Sequence, residues 1–409
     1  MTNKKSIFIK LVSGSALSQI IVILAMPLLT RMYSPNEFGY LAIVNAFLMV
    51  LGVVGSLRYD QLIYKYNTKY EWSRCFNNGL VSSLIIFTIL LFIFVLCYFF
   101  GLLHRYFLIT PFLVLAFSIT QLYSSLLSVY GLYTTLGYGL ITRSLIMILS
   151  QYFLNTYLGG FALIIGLFLG QISHLLVLSW VFTLKSNDRM IDLKVDFYDF
   201  KDSILSTGQS LSNSFSSQLP SLFIPYGFGL TVMGIYSLAQ RLTFLPITFF
   251  SNAIRPFILG ELNNNRADKK KVGRLLQKGS MSLLIIGCFG ILLINLFAEE
   301  FFVLYAGEEW RAAGDTASAL SFWVMCAFSN IIATSYLTVH AYFRQLFIYD
   351  VTLLIVRVIV TVYSYIYHVS FIEFIYLYSF TGLVFNLFII FYAIALGKKD
   401  AKSIISHNA

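Results

Sequence analysis

Twelve stretches of about twenty residues, each almost free of charge, follow one another through the 409 residues of this chain. In hydrocarbon no water is available to the backbone, so a spanning segment must satisfy its own N–H and C=O groups. At 1.5 Å per residue, a helix of roughly 20 residues crosses a core about 30 Å thick. The sequence therefore predicts spans near residues 11–30, 38–57, 79–100, 107–130, 138–157 and 161–184. A second set is predicted near 204–225, 230–253, 280–304, 317–340, 346–367 and 372–396. Composition agrees, since 58% of the residues are apolar and 11% charged, whereas an ordinary soluble domain carries about 25% charge. The expectation is an all-α polytopic membrane protein of about twelve transmembrane helices. A soluble enzyme is excluded.

The two sets are separated by a polar stretch, Lys185 to Asp202, which must lie in water. It divides the chain into an N-terminal six-helix lobe (1–190), a cytoplasmic linker (191–203) and a C-terminal six-helix lobe (204–409). A weak internal repeat has the same register: Gly14, Pro27, Gly39 and Arg58 are echoed by Gly208, Pro220, Gly234 and Arg255. Two pseudo-symmetric lobes commonly hold a central site opened alternately to either side. The other reading of the repeat is chance matching between similar apolar segments.

The excess of 28 Lys and Arg over 18 Asp and Glu would suggest nucleic acid in a soluble protein. In a membrane protein it is topological, because basic residues collect on the cytoplasmic side. With the N-terminus cytoplasmic, 23 of the 28 fall in inside segments, Arg143 and the run Lys269–Lys271 among them, and Arg31, Arg105 and Arg311 fall outside. That bias predicts both termini in the cytoplasm and no nucleic-acid partner. Lys4, Lys5 and Lys10 resemble a signal-peptide start, but Ser13, Ser15, Ser18 and Gln19 interrupt the apolar run, so a retained first helix is expected. Trp180, Trp310 and Trp323 fall near predicted helix ends, as interfacial aromatics do.

Catalytic signatures are missing: the sequence has no Walker loop, HExxH or GxSxG. Cys75, Cys97, Cys288 and Cys326 form no CxxC pair, and the five histidines, His174 among them, sit singly on different segments. No catalytic residue, metal site or cofactor is expected. What remains is charge inside the membrane. Arg241 and Arg357 fall near the middle of their spans, where a charge costs roughly 2.5–3.5 kcal/mol on the insertion scale. Arginine keeps its proton and must be answered by an acceptor, yet Asp60, Asp350 and Glu373 all lie near helix ends. An anion arriving from outside the chain would make good the deficit. The competing readings are that Arg241 snorkels or bonds to Asn252, Asn330 or Gln240, and that Arg357 pairs with Asp350 seven residues away on one helical face. Arg31 and Arg58 taken singly are interface anchors. Grouped with the other two around one cavity they would form a cationic lumen suited to phosphate, which a guanidinium grips with a two-pronged fork.

Pro27, Pro220, Pro225 and Pro246 interrupt their spans. Each removes a backbone hydrogen bond and so makes either a hinge or a static kink. Gly166 and Gly170 give the GxxxG spacing of close helix packing.

The segments Pro27-Leu-Leu-Thr-Arg31-Met-Tyr-Ser-Pro35-Asn-Glu37-Phe-Gly39, Leu57-Arg58-Tyr59-Asp60 and Gly234-Ile-Tyr236-Ser-Leu-Ala-Gln-Arg241-Leu-Thr-Phe-Leu-Pro246 resemble the polysaccharide transporter family, the Wzx-type O-antigen and capsule flippases. That family shares a superfamily with MATE multidrug extruders and lipid II flippases. The resemblance implies a flippase of the bacterial cytoplasmic membrane that translocates an undecaprenyl-pyrophosphate-linked oligosaccharide. It also implies that Arg31, Arg58 and Arg241 occupy places similar to those of cavity arginines that engage pyrophosphate; Arg357 rests on its depth alone. Tyr59, Tyr236, Asn45, Gln121, Gln209 and Asn213 could line the sugar path, and Asp60 is counted with the substrate-binding residues. The partners so implied are the lipid-linked oligosaccharide, membrane lipids, and the polymerase and chain-length regulator of one pathway. Energy would come from an H+ or Na+ gradient or from substrate supply and removal. Relatives often carry two further helices forming a lipid groove, which leaves the path of the prenyl tail open here. The alternatives are a multidrug extruder of the same fold, which would need a buried acid, a membrane polysaccharide polymerase, which would need sizeable external loops, and a structural membrane partner, which would leave Arg241 unexplained.

Overall fold

The computed structural model describes residues 2–66, 68–185, 199–264, 268–340 and 342–405. Fourteen α-helices carry these residues: α1 (Thr2–Met32), α2 (Pro35–Gly55), α3 (Tyr59–Leu62), α4 (Lys69–Phe99), α5 (Thr110–Val129), α6 (Tyr133–Leu158) and α7 (Phe161–Lys185) come first. They are followed by α8 (Phe200–Gly227), α9 (Leu230–Asn264), α10 (Lys269–Ala306), α11 (Arg311–Ser329), α12 (Ile331–Val339), α13 (Phe343–Ile366) and α14 (Phe371–Ile405). Every predicted span falls on a helix. The stretch 317–340 is the one that breaks, into α11 and α12 at Asn330, whose amide donates to Asn386 on α14. Nine segments of the described residues are long and apolar enough to cross a membrane. The exceptions among the expected spans are α6, α8 and α9, the helices that carry Arg143, the serine-rich run 203–221 and Arg241.

Helix starts follow ordinary capping chemistry. Ser34 and Glu37 form a reciprocal capping box ahead of α2, with Pro35 in the first turn, where its missing N–H is not needed. Thr68 accepts from the Glu71 amide at the start of α4, and Asp268 accepts from the Lys271 amide at the start of α10. Between α2 and α3 the chain turns through Leu57 and Arg58, both with positive φ (46° and 57°), a left-handed conformation costly to a residue with a Cβ.

The described residues fall into two compact units, Met1–Pro225 and Tyr226–Ala409. The same packing plan recurs in both. In the first, α5 packs on α2, α4 and α7, and α6 packs on α7; in the second, α11 packs on α9, α10 and α14, and α13 packs on α14. Repetition of four pairings in one order is what an internal duplication would leave. The start of α8 is hydrogen-bonded to α3 and the turn before it: Ser203 donates to the Leu57 carbonyl at 2.6 Å and Ser206 to Gln61 at 2.8 Å. Residues 191–198 of the expected linker lie outside the described residues.

Each unit has its own apolar core. Tyr59, Phe76, Leu122, Leu126 and Phe182 interlock in the first, and Ile258, Leu276, Tyr336 and Ile390 in the second. Large apolar side chains also face outward along α4 and α10, such as Phe92, Phe99, Ile285, Phe289 and Leu296. In water such faces would aggregate; lipid is their natural solvent. Gly166 and Gly170 bring α7 against α6 as their spacing predicts, since a Cβ on them would meet the Gln151 side chain at 2.4 Å and the Arg143 carbonyl at 2.8 Å. The chain is a multi-pass membrane protein.

Candidate functional site

The four arginines expected to bind an anion meet four different environments. Arg31 ends α1 and is exposed, where the helix C-terminus favours a cation. Arg58 is held on both sides: Nη1 lies 3.5 Å from Asp60 Oδ2, and Nε donates to Ser210 of α8 at 3.1 Å. Asp60 is itself buried and accepts from Ser56 at 2.9 Å. Arg58, read singly as an interface anchor, is thus tied to an acid two residues away. Residues two apart on a helix do not face each other, but the left-handed turn at Arg58 folds its side chain back over Asp60.

Arg357, on α13, is the opposite case. Its side chain is 3% exposed, and its guanidinium carbon sits 4.4 Å from the Trp323 ring and 4.4 Å from the Tyr378 ring. The two rings stand at 77° with centroids 5.6 Å apart, so the cation rests in an aromatic corner contributed by α11 and α14. Phe244 of α9 braces Trp323 edge-on at 5.1 Å, and Tyr236 of α9 lies close enough to couple electrostatically to Arg357. Among the described residues no ion pair reaches Arg357: Asp350 is exposed, and seven residues of helix put it about 10 Å away along the axis. Nε and Nη2 of Arg357 are buried without a hydrogen-bond partner. These two nitrogens form one edge of the guanidinium, the edge that grips two oxygens at once. The rings answer the charge with a contact worth about 2 kcal/mol each when desolvated, but a π face cannot accept in-plane donors. Tyr236 Oη, Ser364 Oγ and Ser379 Oγ, on three of these four helices (α9, α13 and α14), are likewise buried and unpartnered.

Arg241, on α9, is exposed and close enough to Tyr305, at the end of α10, to act on its hydroxyl. Of the sugar-path residues, Tyr59 and Tyr236 are buried and Asn45 and Gln121 are half-buried. Gln209 and Asn213 are exposed one turn apart on α8. Pro27 lies inside α1, and Pro220 and Pro225 inside α8. Pro246 falls within α9, and its side chain lies outside the described residues. Arg31 and Arg58 belong to the first unit, Arg241 and Arg357 to the second.

The three tryptophans read as interfacial differ in their surroundings. Trp323 is 8% exposed and forms a wall of the Arg357 corner, and Trp310 is 1% exposed; Trp180 alone of the three is open to its surroundings, at 65%.

Two polar groupings were not anticipated. Arg143, counted from sequence with the cytoplasmic charges, lies ten residues into α6 and couples electrostatically to His174 of α7, whose Nδ1 is buried without a partner. At the foot of α4, Asp199 receives Arg74 at 2.8 Å and the Tyr66 hydroxyl, while Lys65 binds Asp202 at 2.6 Å. Lys65 holds the exposed Asp202 carboxyl below its usual range. Among the described residues, no three His, Cys, Asp or Glu side chains converge as a metal site would require.

Paired helical repeats with polar side chains concentrated on a few spanning helices define a membrane protein of the fold seen in MATE transporters and the lipid II flippase. The structure aligns with an inward-facing multidrug resistance MATE family transporter of the MOP superfamily at a TM-score of 0.70, with 13% identity over 97% of this chain and 96% of that one. It aligns with the lipid II flippase MurJ in an inward closed conformation at 0.75, with 14% identity over 93% and 87%. A MOP superfamily transporter from Pyrococcus furiosus, described as having a binding pocket of reverse polarity, aligns at 0.66 with 13% identity over 96% of each chain. No curated protein sequence matches. The chain belongs to the polysaccharide biosynthesis protein family, whose model matches residues 28–315.

Proposed function

We propose that the protein is a flippase that carries an undecaprenyl-pyrophosphate-linked oligosaccharide across the bacterial cytoplasmic membrane by alternating access, with Arg357 gripping the pyrophosphate. The observation that carries this reading is the edge of Arg357. A buried cation fixed by its faces, with two parallel donors unmet, is complementary to a group offering two oxygens on one phosphorus. Membership of a polysaccharide biosynthesis family supports a saccharide-bearing substrate, and the likeness to a lipid II flippase supports one carried on a lipid. In the state described here the corner is closed, so access requires movement of Trp323 or Tyr378. Pro27 and Pro220, inside α1 and α8, are the hinges we assign to alternating access. Both termini lie in the cytoplasm, the pathway's polymerase and chain-length regulator take up the product, and H+ or Na+ coupling or substrate flow supplies the energy. Removing the sodium or proton gradient in vesicles distinguishes the two sources.

The test is surface polysaccharide in cells carrying Arg357→Gln and Arg357→Lys at normal protein levels. The glutamine variant is expected to lose it, and the lysine variant to recover it partly, because lysine keeps the charge and lacks the fork. Full polysaccharide in the glutamine variant contradicts the assignment.

A further inference from the structure

The second unit contains a groove of about 320 Å³ between α9 and α10, floored by α11, at the lower end of the roughly 300–1,000 Å³ found for ligand clefts. From α10 it is lined by Leu293, Ile294, Phe297, Ala298, Phe301 and Phe302. These residues recur every three to four positions, so they form one stripe along the helix, about 13 Å long at 1.5 Å per residue. Its only hydroxyl, on Thr243, is turned to the Ala239 carbonyl at 2.6 Å. A trough parallel to a spanning helix and dry along its length matches an extended hydrocarbon chain.

The ends of the trough differ. The stripe runs on by one turn to Tyr305, and Tyr305 lies near Arg241, the residue that precedes the lining residue Leu242. A guanidinium has five donors, so Arg241 can serve a phosphate whatever else it touches. Glu299, on the opposite side of α10, is neutralised by Arg311 at 2.7 Å. A single apolar trough with a cation at the end remote from Lys269–Lys271 fits a lipid with one chain and an anionic head better than a two-chained bilayer lipid.

We infer that this groove holds the polyprenyl chain of the carrier lipid, with Arg241 against its phosphate. The inference rests on the flippase reading for the identity of the lipid, but binding to the groove can be measured without transport. Under the orientation proposed above, Tyr305 is at the outer end of α10, so a lipid in the groove with its phosphate toward Arg241 and Tyr305 has its head on the outer side, where it rests after crossing.

The full-length protein in nanodiscs is cross-linked with a polyprenyl phosphate carrying a diazirine within the isoprene units next to its phosphate, the part of the chain that a groove about 13 Å long can hold, alongside a diazirine phosphatidylglycerol and a diazirine polyprenol. Adducts in residues 293–302 are expected with the polyprenyl phosphate. They should fall about tenfold on filling the groove with Ala298→Phe or, at its open rim, Leu293→Trp, and about tenfold with Arg241→Gln, the loss of one charge-assisted contact. Polyprenol should label weakly and be indifferent to Arg241→Gln. Competition by unlabelled polyprenyl phosphate on the unmodified protein gives the same answer should a variant fail to fold. Equal labelling by phosphatidylglycerol, or adducts elsewhere only, overturns the inference. Labelling that persists in a protein unable to move lipid-linked saccharide would count against the flippase reading and leave the groove assignment standing.

Discussion

Arg58 and Arg357 are the same side chain treated in two ways. In the first unit Arg58 is boxed by Asp60 and Ser210, and the cation is part of the architecture. In the second unit Arg357 is driven deeper, to 3% exposure, and given aromatic faces in place of an acid. The rings stabilise charge while leaving direction unspent, because a quadrupole attracts the guanidinium face and its in-plane N–H groups stay available. A protein that needed only to bury Arg357 would supply a carboxylate. Of the two, the arginine without an acid is the one suited to an anionic substrate.

This contrast can be broken most severely by function. Arg357→Gln is expected to abolish surface polysaccharide, while Arg58→Gln acts chiefly through folding and amount of protein. Stability should separate the two in reverse. Asp60→Asn strands a half-buried cation and is expected to cost about 1–3 kcal/mol in detergent unfolding. Arg357→Met exchanges ring contacts for the removal of an unpaired charge, and should change stability by no more than about 1 kcal/mol. A large loss for Arg357→Met would make that arginine structural too.

A finer probe acts on the corner itself. A Cβ on Gly382 would come within 2.3 Å of the Trp323 ring, so Gly382→Ala must displace that wall, shifting tryptophan emission and lowering transport severalfold without touching a charge. The smallest effect belongs to the first unit. Asp202 is depressed by Lys65, so its contribution is present above the ordinary aspartate value of about 3.9 and is lost as pH falls through the lower folded value. Hydrogen exchange at the start of α8 should therefore quicken only below about pH 4, and Asp202→Asn should remove the dependence.

Much of this was legible in the sequence. The spans could be read because lipid demands long apolar helices, and the burial of Arg357 agrees with its position well inside one. Its partners could not be read: Trp323 and Tyr378 lie on other helices, and the indole looked interfacial by its distance from a predicted end. Asp60 was named from sequence beside Arg58, but its ion pair with that residue could not be read, because it depends on the left-handed turn at Arg58. Asp350, on the correct face by periodicity, proved too far along the axis to help. Arg143 was absorbed into the cytoplasmic charge because it lies only five residues inside the near end of the expected span 138–157, whereas α6 begins at Tyr133 and puts it ten residues in. Its neighbour His174 could be recognised only once α6 and α7 were packed.

The most direct measurement is the affinity of the purified protein in nanodiscs for undecaprenyl pyrophosphate. Unmodified protein should bind it, and bind undecaprenyl phosphate more weakly. Arg357→Gln should weaken the pyrophosphate complex about a hundredfold, the loss of two charge-assisted hydrogen bonds, with Arg357→Lys in between. Unchanged binding by the glutamine variant would show that the open edge of Arg357 serves some purpose other than holding the diphosphate.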